Sequence, residues 1–244
     1  MEPVEYALMD QSEGGMWWYR ALHARIGDAL EGVRGRVLDA GCGTGGLLAR
    51  LRGRPGLELF GLEYAAVAAQ RAAAKSGATI VRGSINTLPY ADASFAAVVS
   101  ADVLCHGAVQ PAVALAELRR VLAPGGLLVL NMPAYQWLLS AHDRQVHNVR
   151  RITAARLAQD IAAAGFVTVR ARYWNSLLLP LMVLQRKVLA RDSGNGGETV
   201  SDVAAFPPLI DAIFHALTAL ERRMGLRLPA GGSVLATARK PETA

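Results

Sequence analysis

The sequence predicts an α/β protein: a doubly wound, mostly parallel seven-stranded sheet, with helices on both faces and a helical insertion before the last strand. Three observations carry that expectation. From residue 36 onward, short β-rich runs alternate with helical patterns, the order produced by stacked strand-helix-strand units. The chain has 244 residues, 52% of them apolar, enough for one large core and too little for a second full domain. The first strand runs directly into "VLDAGCGTGG" at 37–46, the grammar of a strand that delivers backbone close to a ligand.

The strands are expected at 36–40 (RVLDA), 57–63 (LELFGLE), 78–83 (ATIVRG), 95–101 (FAAVVSA) and 127–132 (LLVLNM), followed by two late strands at 166–174 and 233–240. Helices fall between them at 45–52, 65–76 and 111–122, the last stopped by "APGG". A further helix at 153–164 has Thr153 as its N-cap and Gly165 at its end. The 58 residues between the late strands exceed any ordinary connection, so 175–232 must carry structure of its own. It reads as two helices around the Gly-rich "DSGNGGETVSD", the second with Leu209, Ile213, Phe214, Leu217 and Leu220 on one face. The chain thus divides into an N-terminal cap-helix region (1–35), a ligand-binding core (36–174), the helical insertion (175–232) and a final strand with tail (233–244). The insertion reads as packing on the sheet, a homodimer contact, a lid over the acceptor, or a peripheral membrane surface.

Composition narrows the function. A formal charge of +6 without any dense basic, aromatic-interleaved stripe argues against nucleic acid as a partner. The two cysteines, Cys42 and Cys105, form neither a CxxC nor a disulfide framework, which points to a reducing cytoplasm. The N-terminus lacks the basic and apolar regions of a signal peptide, and the apolar run at 177–184 falls short of a membrane span.

At the Gly-rich turn, Gly41 and Gly43 remove side chains where a ligand touches backbone, while Gly45 and Gly46 open the next helix. The spacing G-C-G-T-G-G is neither the Gly-x-Gly-x-x-Gly of dinucleotide sites nor a P-loop. Glu63 ends the second strand, 24 residues after Asp39, where an acid accepts hydrogen bonds from both ribose hydroxyls of either NAD or an adenosyl group. Asp39 decides between them, because an acid at that strand end welcomes a cationic amino-acid tail and repels a pyrophosphate.

"VLDAGCGTGG" resembles the first motif of the class I S-adenosylmethionine-dependent methyltransferases. "GLEYA", "INTLPYADASFAAVVSADVLCH" and "ELRRVLAPGGLLVLNMP" are similar to the later motifs of that family, the likeness covering about 33–170 and lying closest to the small-molecule methyltransferases of type 11. The resemblance implies a Rossmann-like sheet with its last strand antiparallel, and S-adenosyl-L-methionine as cofactor. It implies a cofactor set of Asp39, Gly41, Cys42, Gly43, Gly45, Glu63, Tyr64, Ser84, Ile85 and Ala101, with Tyr19 and Arg20 from the N-terminal helix. Ser84 stands where members usually place an acid near the adenine amino group, and Cys42 fills its position as a small inert residue.

Methyl transfer from a sulfonium chiefly needs alignment of the acceptor, and a base only where the acceptor must lose a proton. The candidates for that role are His106 in "DVLCH" and the pair His142 and His147 after the fifth strand. Asp143, Arg150, Arg151, Tyr135 and Trp137 are the candidate acceptor contacts, the arginines for an acidic group and the aromatics for an apolar body. No metal is expected, since the His-Asp-His cluster lacks a matched ligand set. The function expected is methyl transfer to oxygen or nitrogen of a small, partly apolar, acid-bearing metabolite. The alternatives are a lipid or lipid-linked acceptor at a membrane surface, a non-catalytic cofactor-binding scaffold, and another use of the sulfonium such as cyclisation.

Overall fold

A computed structural model describes residues 3–187 and 206–242. Two helices lead, α1 (Pro3–Ser12) and α2 (Trp17–Ala29). There follow β1 (Gly35–Ala40), α3 (Gly46–Leu51), β2 (Leu57–Glu63), α4 (Ala66–Ser76), β3 (Thr79–Arg82), β4 (Phe95–Ala101), α5 (Pro111–Val121) and β5 (Leu122–Pro133). A single 3₁₀ turn at Gln136–Leu138 leads into α6 (Ala141–Gln145), α7 (Ala154–Ala163), β6 (Val167–Trp174), α8 (Leu179–Lys187), α9 (Pro208–Arg223) and β7 (Ser233–Arg239). The Gly-rich loop expected between α8 and α9 lies outside the described residues.

The seven strands form one sheet ordered β3-β2-β1-β4-β5-β7-β6. Strands β1 to β5 pair in parallel, whereas β7 runs antiparallel to both β5 and β6. The chain therefore winds outward from β1 in both directions, as the alternating pattern requires. Central strands are apolar on both faces: Leu38, Val98 and Leu128 are fully buried on one side with Leu115, Leu118 and Ile161, while Val37, Val99 and Val129 pack on the other with Leu22, Ile26 and Leu51.

Local chemistry explains the ends. Thr153 Oγ1 accepts from the Arg156 amide at 3.3 Å and starts α7, which Gly165 closes at a φ of 84°. Strand β5 begins five residues earlier than the "APGG" stop suggests. Leu122 already pairs with Phe95, the chain bends through Gly125 at a φ of 71°, and pairing resumes with Leu127 opposite Ala97. Helix α1 was not foreseen, because its apolar residues make no clean helical stripe.

Helix α9 departs from the expected orientation. Leu209, Ile213 and Leu220 are 73%, 48% and 48% exposed, whereas Thr218 and Glu221 are buried. A polar seam turns the helix this way. Asp211 accepts from the Trp17 amide at 2.7 Å and pairs with Arg20, Arg25 donates to Thr218 O at 2.9 Å, and Glu221 accepts from the Ser176 amide at 2.8 Å. Phe214 and Leu217 of the predicted stripe are half-buried, Phe214 edge-on to Trp17 at 5.6 Å. No helix among the described residues is long and apolar enough to cross a membrane.

Candidate functional site

The carboxyl ends of β1, β2, β4 and β5 open into a cleft of about 1470 Å³, roofed by α1 and α2 on one side and by the chain from Leu139 to Arg151 with α8 and α9 on the other. That volume exceeds the roughly 300–1,000 Å³ typical of one small ligand. It accommodates two molecules side by side.

The glycine turn has the conformation its sequence demands. Gly41, Gly43 and Gly45 hold φ of 94°, 55° and 90°, which side chains rarely adopt. Space is also closed to them, since a Cβ on Gly41 would meet Val103 at 2.3 Å and one on Gly43 would meet Met9 Sδ at 2.9 Å. The bare backbone is thereby brought to the cleft wall, its Gly41 and Cys42 amides donating to Leu62 O and its Gly43 amide to Glu63, and α3 starts behind it. Cys42 lines the same wall but packs with Leu48 and Ala72. Burial drives its thiol pKa up, and it stays an inert filler.

Two acids stand at the strand ends. Glu63 receives the Gly43 amide at 3.0 Å and the Ala65 amide at 2.9 Å, with the Tyr6 hydroxyl at 3.4 Å. Burial raises its pKa, opposed by those amides. Asp39 differs: its carboxylate is buried, faces the cleft, and finds no hydrogen-bond donor among the described residues. Burial first, then Glu13 and Glu63, push it up to about 8. A buried carboxylate without a donor, repelled by two more acids, is a socket for a cation. Ser84, Ile85, Tyr64, Ala101 and Tyr19 also line the cleft. Gly45 lies behind the lining, against Ala72, and Arg20 lies outside it, paired with Asp211 at 2.5 Å across the α2–α9 seam. Arg20 is therefore corrected from a ligand contact to a structural one.

The segment after β5 is arranged differently from its expected role. Asp143 and Arg151 form a buried two-pronged pair, Nη2 to Oδ1 at 2.8 Å and Nε to Oδ2 at 3.0 Å. Burial alone would raise Asp143, but Arg151 and Ser140 hold its pKa below the usual carboxylate range. Arg150 donates to His106 O at 2.5 Å and Leu104 O at 3.3 Å. Both arginines hold this loop against β4 and β5; Asp143 and Arg151 line the cleft as a pair, whereas Arg150 lies outside the lining. Tyr135 and Trp137 do not line the cleft. Tyr135 stacks on Tyr173 at 5.2 Å on the outer side, and Trp137 beside it is 50% exposed.

Of the three candidate histidines, His106 and His147 line the cleft, as does His23 from α2. Helix α6 contains His142, whose side chain lies outside the described residues. His106 Nδ1 lies 3.1 Å from Val146 O. Since a carbonyl only accepts, this sets the proton on Nδ1 and leaves Nε2 as an acceptor. Burial lowers its pKa, keeping the ring neutral.

Several cleft residues went unnoticed in the sequence. From α1 come Tyr6 and Met9, and from the turn just after it Glu13, which accepts from Thr44 Oγ1 at 2.7 Å and pairs with Lys75. From the turn after β4 comes Asp102, held by Asn131 Nδ2 at 2.9 Å. The signal for Asp102 was its place, the first residue past a strand at the ligand-binding edge.

Residues 38–130 match the family model described as "Methyltransferase domain". The chain is 30% identical over 148 residues, 54% of its own length and 39% of the relative's, to 24-methylenesterol C-methyltransferase 2 of Oryza sativa subsp. japonica. It is 24% identical over 214 residues, 82% of its length and 77% of the relative's, to O-methyltransferase cnsE of Penicillium expansum. The first of these proteins is thus spanned for well under half its length. Among solved structures, phosphoethanolamine N-methyltransferase 2 of Haemonchus contortus, determined with S-adenosyl-L-methionine, superposes with a TM-score of 0.65 at 16% identity, covering 98% of this chain and 57% of that one.

Proposed function

We propose that this chain, whose core belongs to the class I S-adenosylmethionine-dependent methyltransferases, transfers a methyl group to nitrogen or oxygen of a partly apolar small molecule. S-adenosyl-L-methionine supplies the methyl, activated on a positively charged sulfur. The residues present fit it. Glu63 stands where a ribose is held, the Gly41–Gly43 turn lets a ligand approach its backbone without side chains in the way, and the donorless Asp39 offers the counter-charge for the ammonium of an amino-acid tail. Asp39 is the observation that carries this reading, because a pyrophosphate cofactor would be repelled there.

For the acceptor, the remaining cleft wall includes Trp17, Trp18, Leu178, Met182 and Phe214 beside the polar Asp143, Arg144, His147 and Arg151, and its aromatic and aliphatic part favours an apolar body. For an acidic group on it, Arg151 is present in the lining but already paired with Asp143, and Arg150 is held by carbonyls outside the lining. A lipid-borne acceptor is a second reading, favoured by Leu181, which both lines the cleft and is 46% exposed at its rim.

The test is a thermal-shift and calorimetric comparison of S-adenosylhomocysteine with NAD. The account expects saturable binding of the first and none of the second. Binding of NAD alone would dismiss it.

A further inference from the structure

Asp102 follows the last residue of β4 and holds a φ of 53°, a conformation non-glycine residues take at a cost and which concentrates at functional sites. It is held there from both sides. Its amide donates to Asn131 O at 2.9 Å, and its carbonyl accepts from Cys105 Sγ at 3.0 Å. Its Oδ1 accepts from Asn131 Nδ2 at 2.9 Å.

The orientation of Asn131 is set from below. Trp174 Nε1 donates to Asn131 Oδ1 at 2.8 Å, and an indole N–H can only donate, so the amide must point its NH₂ at Asp102. Trp174 is itself pinned beneath the Arg25 guanidinium, 4.6 Å from its ring centre, which Thr218 and Glu221 of α9 hold. Asp102 Oδ1 is thus tied down, while Oδ2 has no partner among the described residues and the side chain lines the cleft.

The sheet order says which end of the cleft this is. Glu63 on β2 marks the ribose, with the base toward β3 at Ser84 and Ile85. The amino-acid tail and its sulfur then run the other way, across β1 toward β4, where Asp102 stands. We propose that Asp102 is the group that receives the acceptor's proton, with Asn131 and Trp174 as its positioning residues; this rests on the methyltransferase reading above. As the acceptor's nitrogen or oxygen bonds to the methyl carbon, the carbon–sulfur bond breaks and its electron pair stays on sulfur. The acceptor's proton passes to Asp102 Oδ2, so charge and atoms balance.

Burial raises the Asp102 pKa to about 6, against the pull of Asn131 and Arg151 and with a push from Asp143. Tyr19 from α2 and Cys105 from the following turn also feel its field. The carboxylate is therefore a base above pH 6 and is lost as pH falls through that value. At neutral pH its strength suits proton transfer.

The experiment uses the full chain, tritiated S-adenosylmethionine and an organic extract of cells that express it as the acceptor source. Alongside run S-adenosylhomocysteine calorimetry and a ¹³C carboxyl titration of Asp102. The proposal expects Asp102→Asn to cut methyl transfer about 10²–10⁴-fold, keep S-adenosylhomocysteine affinity within about twofold by mass-action standards, and abolish the acidic limb near pH 6. Formate should restore part of the rate in Asp102→Gly. Asn131→Ala, which removes a donor from the carboxylate, should move the limb and the ¹³C midpoint upward. Unchanged turnover in Asp102→Asn, parallel loss of cofactor affinity, or a limb that disappears instead in His106→Ala overturns the proposal. Failure of the unaltered chain to bind S-adenosylhomocysteine would instead overturn the cofactor reading.

Discussion

The two halves of the cleft are built by different means. On the cofactor side, a short contiguous stretch sets the geometry: three glycines at positive φ, an acid just before them, and a second acid at the end of the neighbouring strand. On the acceptor side, the charged residues that look most available in sequence are locked into one another, Asp143 with Arg151 and Arg150 with the carbonyls of the turn after β4. The lesson is that a charge cluster near a site is as often the frame as the tool. Polar groups that remain free in the cleft, among them Asp39, one oxygen of Asp102, Trp17 Nε1 and Asn175 Oδ1, are found by asking which polar atoms lack a partner among the described residues.

This contrast can be broken by substitution, beginning with its strongest claim. Arg151→Ala should destabilise the fold by about 3–5 kcal/mol, because it strands the buried Asp143 charge. In urea melts the loss should appear at pH 7 and shrink below the Asp143 pKa, since that acid is held low in the folded state. A variant that stays stable but loses acceptor turnover would return Arg151 to the tool side. Next, Gly43→Val should abolish S-adenosylhomocysteine binding, the bulk meeting Met9 and the φ of 55° opposing any Cβ. Smaller is Glu63→Ala, about 1–3 kcal/mol of cofactor affinity for a hydrogen bond to a charged acceptor. An unaltered titration would mean that its amide and Tyr6 contacts are its whole role. Smallest are Leu209→Ser and Ile213→Ser, within about 0.5 kcal/mol by chemical denaturation, as both side chains face outward from the polar α2–α9 seam.

The fold was largely legible because it is written locally. Strands β1, β2 and β4 fall on the expected apolar runs, α7 starts at Thr153, and the strand order follows from repeated strand-helix-strand units. The glycine turn was legible for the same reason: at φ of 94°, 55° and 90°, with neighbours closing the space a Cβ would need, each position favours glycine. The acceptor wall was not. Whether Arg150 meets a substrate or a carbonyl depends on where residues 104 and 106 arrive in space, some 44 positions away in the chain. The outward face of α9 was misread because its apolar period is real, while the contacts that orient it, Asp211 to Trp17 and Glu221 to Ser176, are polar and long-range. Tyr135 was misplaced by a φ of 59°, which turns it onto Tyr173.

The central claim is that Asp39 is an anionic socket for a cationic tail. It is tested most directly by titrating S-adenosylhomocysteine into the protein and into Asp39→Asn by calorimetry, in buffers of differing ionisation enthalpy between pH 6.5 and 9. The Asp39 pKa of about 8 in the free protein means the acid is largely protonated below that pH, and pairing with an ammonium must expel the proton. The account predicts that affinity rises with pH up to about 8, that binding below it releases close to one proton, and that Asp39→Asn loses both the proton release and the binding. The same variant should melt higher than the unaltered protein in the absence of ligand at pH 8 and above. A carboxylate forced to ionise in a buried acidic site destabilises the fold increasingly as pH climbs from the unfolded value toward the folded one. Tight binding by Asp39→Asn, or pH-independent binding without proton release, would contradict the account.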